Sequence, residues 1–201
     1  EIFKEGNQWT YIYLFKDSSE ISYTNFLVKG DTIINGVAYK KIFSKIEESN
    51  DPFALENYFV RQDISGLTYK IDDSLEEELL MGINALDSFN IQSSCTFSLE
   101  RSVSLELNNQ QTTDKLIYSY YNFDPIDNET IISSINGFEW IENIGNAQYP
   151  FLGPNDYCQS KNKDYLSTLS CFVSDGVLVF GDDVHCSGII SKTEEIDKSS
   201  F

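Results

Sequence analysis

The chain has 201 residues, 41% hydrophobic and 14% aromatic, with 32 acidic against 14 basic side chains and a formal net charge of −18. That balance argues against nucleic acid, whose phosphates need clustered Lys and Arg, and against docking on anionic lipid. No apolar run approaches the ~20 residues of a membrane helix, and the length favours one domain over residues 1–201.

In chain order the pattern is one of strands and tight turns. Residues 9–15 (WTYIYLF) put Trp9, Tyr11, Tyr13 and Phe15 on one face and Ile12 and Leu14 on the other, as in a strand covered on both sides. Asn35-Gly36 stands between two runs rich in β-branched and aromatic residues. Asn-Gly tolerates the positive φ that a type I′ turn needs at both central positions, so a hairpin is predicted there. Residues 57–71 (NYFVRQDISGLTYKI) read as a second hairpin turning at Ser65-Gly66. Residues 74–86 (SLEEELLMGINAL) are ambiguous. Ser74 with Glu77 fits a helix capping box, while ELLMGI also fits a short buried strand.

Residues 96–107 (TFSLERSVSLEL) alternate cleanly. Phe97, Leu99, Val103, Leu105 and Leu107 fall on one face and polar residues on the other. Arg101 is the one interruption of the apolar face. Residues 116–123 (LIYSYYNF) form a further strand, and DPIDNET a loop. Residues 131–145 (IISSINGFEWIENIG) hold a second Asn-Gly, Asn136-Gly137. Residues 169–180 (LSCFVSDGVLVF) form a last hairpin turning at Asp175-Gly176, and the tail after Ile190 is expected to fray. Hairpin upon hairpin with little helix implies an all-β, mostly antiparallel meander, a β-barrel or β-sandwich of eight to ten strands.

The four cysteines, Cys95, Cys158, Cys171 and Cys186, form no Cys-x-x-Cys pair, and the lone His185 adjoins only Cys186. Zinc spacing is therefore missing, and an even count in a β-rich chain points to disulfides and an oxidising compartment. Of three connectivities, Cys171–Cys186 is favoured because it closes a hairpin, which leaves Cys95–Cys158. The chain begins without Met or a leader, as a trimmed mature chain does.

Four stretches in order, GDTIINGVAYKKIF, FVRQDISGLTYKI, FEWIENIGNAQYPFLGP and LSCFVSDGVLVFGDDVHC, resemble a group of uncharacterised secreted or surface-attached proteins of Bacteroidota. The resemblance spans about residues 30 to 186. It covers a GDTIING-YKK hairpin, a W-x-E-x-IG turn and a closing LxCF hairpin. Some members of that group carry a type IX sorting domain. Glu142-Asn143 stands where the group has Glu-Gly, and Asn146 where it has Ser. The resemblance implies location and architecture rather than chemistry, and it tips residues 74–86 towards strand.

Several residues merit a functional reading. A guanidinium on an apolar strand face needs a partner, because an uncompensated buried charge costs several kcal/mol. Arg101 is therefore expected to pair with Glu139 or Glu142, or to face a lumen and await an acidic ligand, unless the strand's register departs from this alternation. Trp140 between Glu139 and Glu142 reads first as a core anchor before a tight turn at Gly145; it also has the parts of a sugar site, an aromatic face beside hydroxyl-accepting acids. On a strand, however, carboxylates three apart point to opposite faces and cannot flank one bond. Asp124, Asp127, Asn128 and Glu129, and separately Asp182 and Asp183, offer oxygens to calcium but lack EF-hand spacing. His185-Cys186 is read as non-catalytic, since sequence neighbours on a strand face opposite ways. No serine-hydrolase, zinc-protease, phosphate-loop or dinucleotide motif is present.

These observations favour a secreted or cell-surface, non-enzymatic binding or accessory module without a cofactor, its partner a small molecule, a glycan or an envelope protein. A carboxylate-dependent glycan hydrolase and a calcium-stabilised adhesion domain are the alternatives.

Overall fold

The computed structural model describes residues 1–15, 20–82, 88–92, 95–124, 129–148, 151, 165–182 and 186. Nearly all of them lie in antiparallel strands: β1 Gln8–Phe15, β2 Ile21–Ile34, β3 Val37–Ile46, β4 Ala54–Gln62, β5 Leu67–Asp72, β6 Glu77–Gly82, β7 Ser88–Gln92, β8 Cys95–Glu106, β9 Thr112–Asp124, β10 Glu129–Ile141, β11 Gly145–Asn146, β12 Tyr165–Ser174 and β13 Val177–Gly181. They build an eight-stranded sheet in the order β13-β12-β1-β2-β3-β4-β5-β6 and a five-stranded sheet in the order β11-β10-β9-β8-β7. The sheets do not close into a barrel, so the layered alternative holds. The described strands also outnumber the eight to ten expected.

The turns follow from their residues. Asn35 (φ 51°) and Gly36 (φ 80°) are both left-handed, and Ile34 pairs with Val37, giving the two-residue hairpin expected of Asn-Gly. Asp175 (φ 53°) and Gly176 (φ 73°) close β12 onto β13 in the same way. The β4–β5 turn is longer than a Ser65-Gly66 pair. Asp63 N–H donates to the Leu67 carbonyl at 2.8 Å across Ile64, Ser65 and Gly66, with Gly66 at φ 88°. Residues 77–82 are strand, paired along β5. The Ser74 hydroxyl, expected as one half of a capping box, instead accepts from Glu76 N–H at 3.2 Å within the β5–β6 turn. Asn136-Gly137 makes no turn: it lies inside β10, where the register with β9 shifts between Ser133 and Phe138.

The core lies between the sheets. Trp9 and Tyr11 of β1, Phe26 and Val28 of β2, Ile42, Val60 and Leu80 face Phe97, Leu116, Tyr118, Trp140 and Ile141 of the smaller sheet. Phe151 sits among these rings, 5.5 Å from Trp9 and 5.4 Å from Phe26, centroid to centroid, both edge-on. Hydrogen bonds stitch the layers together. Trp9 Nε1 donates to the Ile144 carbonyl at 2.7 Å and the Tyr11 hydroxyl to the Asn146 carbonyl at 2.5 Å. Ala147 N–H donates to the Glu139 carbonyl, and the Ala147 carbonyl accepts from Leu169 N–H of β12.

A second, smaller cluster lies beside β12 and β13, where Cys171, Val173 and Cys186 are buried with Leu178 against them. Cys171 and Cys186 stand at disulfide distance, Cα to Cα 6.3 Å, in the pairing favoured from the sequence. Gly181, opposite Cys171 in register, permits this approach. A Cβ there would stand 2.1 Å from the Ser170 carbonyl oxygen and 2.8 Å from Cys171 Cα. Cys158 lies outside the described residues, and with it the pairing expected for Cys95; so does the tail after Ile190.

Candidate functional site

The residues singled out from the sequence do not converge. A bulge in β8 explains Arg101. Leu99 pairs with Tyr118 but Arg101 with Ile117, so Glu100 is an extra residue and the alternation does not run through. Phe97 is buried, whereas Arg101 is exposed, not on a core face. Glu139 lies in the same register row, opposite Ile117, yet its ion pair is with Lys115 at 3.0 Å. Arg101 makes no ion pair among the described residues.

Trp140 is 2% exposed and part of the core, so its faces are not offered to a ligand. The nearby void lined by Trp9, Tyr11, Trp140 and Ile144 is about 10 Å³, room for no more than a single water. Glu142 follows β10 in the turn before Gly145 and is half-buried. Burial, and then the charge of Asp114, raise its carboxyl above the ordinary carboxylate value. Among the described residues no three His, Cys, Asp or Glu side chains converge to hold a metal. Asp127, Asn128, Asp183 and His185 lie outside those residues.

Where the structure does converge polar and aromatic groups is the outer face of β3 to β6. Core residues Ile42, Val60 and Leu80 point inward from these strands, so their sequence neighbours point out. Arg61 lies opposite Tyr69 across the β4–β5 ladder, and Lys41, Phe59, Ile71 and Glu77 form the next row. The Arg61 guanidinium lies 4.2 Å from the centroid of the Tyr69 ring and 5.9 Å from that of Tyr39. Its Nε and Nη2 donate to Oε1 and Oε2 of Glu77 at 2.6 and 2.7 Å, a two-pronged match of fork to carboxylate. The Tyr39 hydroxyl also donates to Glu77 Oε1.

Below this ladder, Asp63 holds the β4–β5 turn. Its Oδ1 accepts from Ser65 N–H (2.8 Å), the Ser65 hydroxyl (2.6 Å) and Leu67 N–H (3.0 Å), while Oδ2 accepts from the Tyr69 hydroxyl (3.2 Å). These bonds, the Ser65 hydroxyl first, hold the Asp63 carboxyl below its ordinary pKa. The Arg61 guanidinium does the same for Glu77, and Glu77 in turn raises Arg61. Burial, reinforced by Glu77, raises the Tyr39 phenol. Burial, reinforced by Asp63, raises Tyr69.

The result is a braced ladder of ring, guanidinium and ring. Glu77 cancels the Arg61 charge, and the side chains of that pair keep 22% and 30% of their area in solvent. Two of five guanidinium N–H groups meet Glu77, so the fork still has donors to turn towards an incoming oxygen. Chemically the patch can stack an apolar face and accept or donate hydrogen bonds at its edge. The sequence reading passed over Tyr39, Arg61, Tyr69 and Glu77. A signal was available, because a three-residue turn closed at Asp63 and Leu67 places Arg61 directly against Tyr69.

No protein-family model matches the chain, and no curated protein matches it. Among solved structures, one from Bacteroides fragilis, described as an exported protein with a YmcC-like fold, aligns over 85% of this chain and 97% of its own at 12% identity and a TM-score of 0.31. That likeness is too slight to carry any property across.

Proposed function

We propose that the chain is an exported or cell-surface, non-enzymatic binding module that takes a neutral glycan on the outer face of β3 to β6. The observation that carries this reading is the Tyr69 ring with Arg61 against it, clamped by Glu77, while Tyr39, 4% exposed, only braces Glu77 through its hydroxyl. Its charges cancel locally, which suits a polyhydroxylated ligand better than an ionic one. Its rings and fork are fixed before any ligand arrives, which lowers the entropic cost of binding. Export is supported by the Cys171–Cys186 pair, since such bonds persist in oxidising compartments. Membership of the Bacteroidota surface proteins that the motifs resemble fits the same reading. Among the described residues no helix is long and apolar enough to cross a membrane.

A panel of immobilised neutral and acidic polysaccharides tests the proposal. The wild-type chain is expected to bind at least one neutral member, and Tyr69→Ala to lose at least tenfold in affinity. Silence across the panel, or binding indifferent to Tyr69, overturns it.

A second reading, a carboxylate-dependent glycan hydrolase, draws on one observation, the raised carboxyl of Glu142 with Asp114 nearby. A carboxyl raised by burial with a second carboxylic side chain near it is a pairing that glycoside hydrolysis uses. Release of reducing ends from the same polysaccharides, abolished in Glu142→Gln, would establish it; their stability against the wild-type chain removes it.

A further inference from the structure

Two neighbouring hairpins of the larger sheet reach the same height. Asp31, Lys40, Val60 and Lys70 form one row across β2, β3, β4 and β5. Beyond that row the β2–β3 ladder adds Thr32–Tyr39, Ile33–Ala38 and Ile34–Val37 before it turns at Asn35-Gly36. The β4–β5 ladder adds Arg61–Tyr69 and Gln62–Thr68, then closes where Asp63 N–H donates to the Leu67 carbonyl. Each hairpin therefore runs about 10 Å past the shared row, at ~3.4 Å per residue. The Arg61 guanidinium, 5.9 Å from the centroid of the Tyr39 ring, joins the two.

Their tips are apolar. Ile64 is fully exposed at the apex of the β4–β5 turn, Ile33 is 75% exposed and Val37 41%. Ile33 and Ala38 share one face of the β2–β3 hairpin and Val37 lies on the other. All three are exposed, so neither face of that tip is covered. One exposed aliphatic needs no explanation; here three stand on two adjacent tips.

The β4–β5 turn can leave water at low cost. Besides the Asp63 N–H bond, Gly66 N–H donates to the Asp63 carbonyl, Ser65 N–H and Leu67 N–H donate to Asp63 Oδ1, and the Gly66 carbonyl accepts from Gln62 Nε2. Polar groups already paired within the turn lose little when water withdraws. The charges just behind the tips are paired as well, Asp31 with Lys40 at 2.7 Å and Glu77 with Arg61 at 2.6 Å. At the opposite end of the same strands Glu47, Glu48, Asp51, Asp72, Asp73 and Glu76 are exposed, which keeps that end in water.

Three aliphatic side chains fall well short of the ~800 Å² that a stable protein partner covers on each side. A lipid surface requires no such area, because each side chain that passes the headgroups adds its own share of affinity. A net charge of −18 disfavours an anionic bilayer and leaves a zwitterionic one.

We propose that the tips of the β2–β3 and β4–β5 hairpins insert into the interfacial layer of a zwitterionic bilayer. Ile64, Ile33 and Val37 pass the headgroups, and the acidic end points away. The turn backbones stop at headgroup level, since unpaired backbone groups do not enter hydrocarbon. The contact is separate from the Tyr69–Arg61 face and needs no glycan.

Co-sedimentation of the whole chain with sucrose-loaded phosphatidylcholine vesicles, free of glycolipid, tests it. The wild type is expected to pellet with the vesicles equally at low and high salt, and less as phosphatidylglycerol replaces phosphatidylcholine. Ile33→Ser/Ile64→Ser is expected to lose at least tenfold in partition coefficient, while Leu14→Ser/Leu55→Ser, elsewhere on the same sheet, retains it. Ile64→Trp adds a reporter, since Trp9 and Trp140 are each 2% exposed. Its emission is expected to move to shorter wavelength when vesicles are added. A wild type that stays in the supernatant, an Ile33→Ser/Ile64→Ser variant that pellets as the wild type does, or Ile64→Trp emission indifferent to vesicles overturns the proposal. So does a dimer by sedimentation velocity that Ile33→Ser/Ile64→Ser abolishes, which would make a second copy the occupant.

Discussion

The indole of Trp9, on β1, donates from Nε1 to the carbonyl of Ile144, in the turn after β10, at 2.7 Å. The ring is 2% exposed, so the bond is made in a dry place and ties the larger sheet to the smaller. Trp9→Phe removes the donor, leaves a buried carbonyl short of a partner and opens a small void. Such a change costs about 2–4 kcal/mol in urea unfolding, whereas Leu14→Ser at the exposed end of the same strand changes stability by about 0.5 kcal/mol or less.

Gly181 is required by space as well as by conformation. It has φ 94°, and an added methyl would meet the Ser170 carbonyl oxygen at 2.1 Å. Gly181→Ala is therefore expected to lower the unfolding midpoint by several degrees. Gly36→Ala also forces a residue with Cβ into positive φ, but no atom lies within 4 Å of the added methyl. It is expected to cost less, about 1 kcal/mol. Parallel thermal melts of the two variants decide whether close packing at Gly181 adds to the backbone cost.

The link from Cys171 to Cys186 closes a span of 15 residues, which on the chain-entropy picture contributes about 3 kcal/mol. Cys186→Ser, compared with wild type without reductant, should lower the melting temperature, and reductant should narrow the gap between the two proteins. Calcium enters nowhere in this account, so a chelator should leave the same melts where they are; a downward shift would revive Asp124 and Glu129 as ligands.

Much of this architecture was legible in the sequence because its signals are local. Asn35-Gly36 and Asp175-Gly176 can take the backbone angles that short hairpin turns need, and the strands beside them follow. Bulges were not legible. Nothing in TFSLERSVSLEL announces that Glu100 is an extra residue, and without that knowledge Arg101 is placed on the wrong face. Asn136-Gly137 misled in the opposite way, because a turn signal inside a long strand is absorbed by the register shift with β9. The Arg61 ladder escaped because its members come from four strands. They meet only through pairing registers, and those depend on turn lengths misjudged by one residue.

The ladder also has a pH signature. Arg61 holds the Glu77 carboxyl below its unfolded value, so the contribution of the pair is complete above the ordinary carboxylate range. It is lost as pH falls through the lowered folded value. Because the pair is partly solvated, the contribution is about 1 kcal/mol or less. Wild type is expected to lose more stability from about pH 5 downward than Glu77→Gln does. Urea unfolding at pH 7 and at pH 3 measures the difference, and parallel loss in the two proteins would show the clamp to be energetically idle.

Glycan binding on the outer face of β3 to β6, as proposed above, can be followed residue by residue. Two-dimensional amide NMR of the labelled chain, titrated with the tightest neutral oligosaccharide from the panel, tests it most directly. Shifts are expected to concentrate at Tyr39, Phe59, Arg61, Tyr69 and Glu77, with the signals of Arg101 and Trp140 unmoved. Shifts centred on Glu139 and Glu142, or a saturating titration that leaves the Arg61 and Tyr69 amides in place, would contradict it.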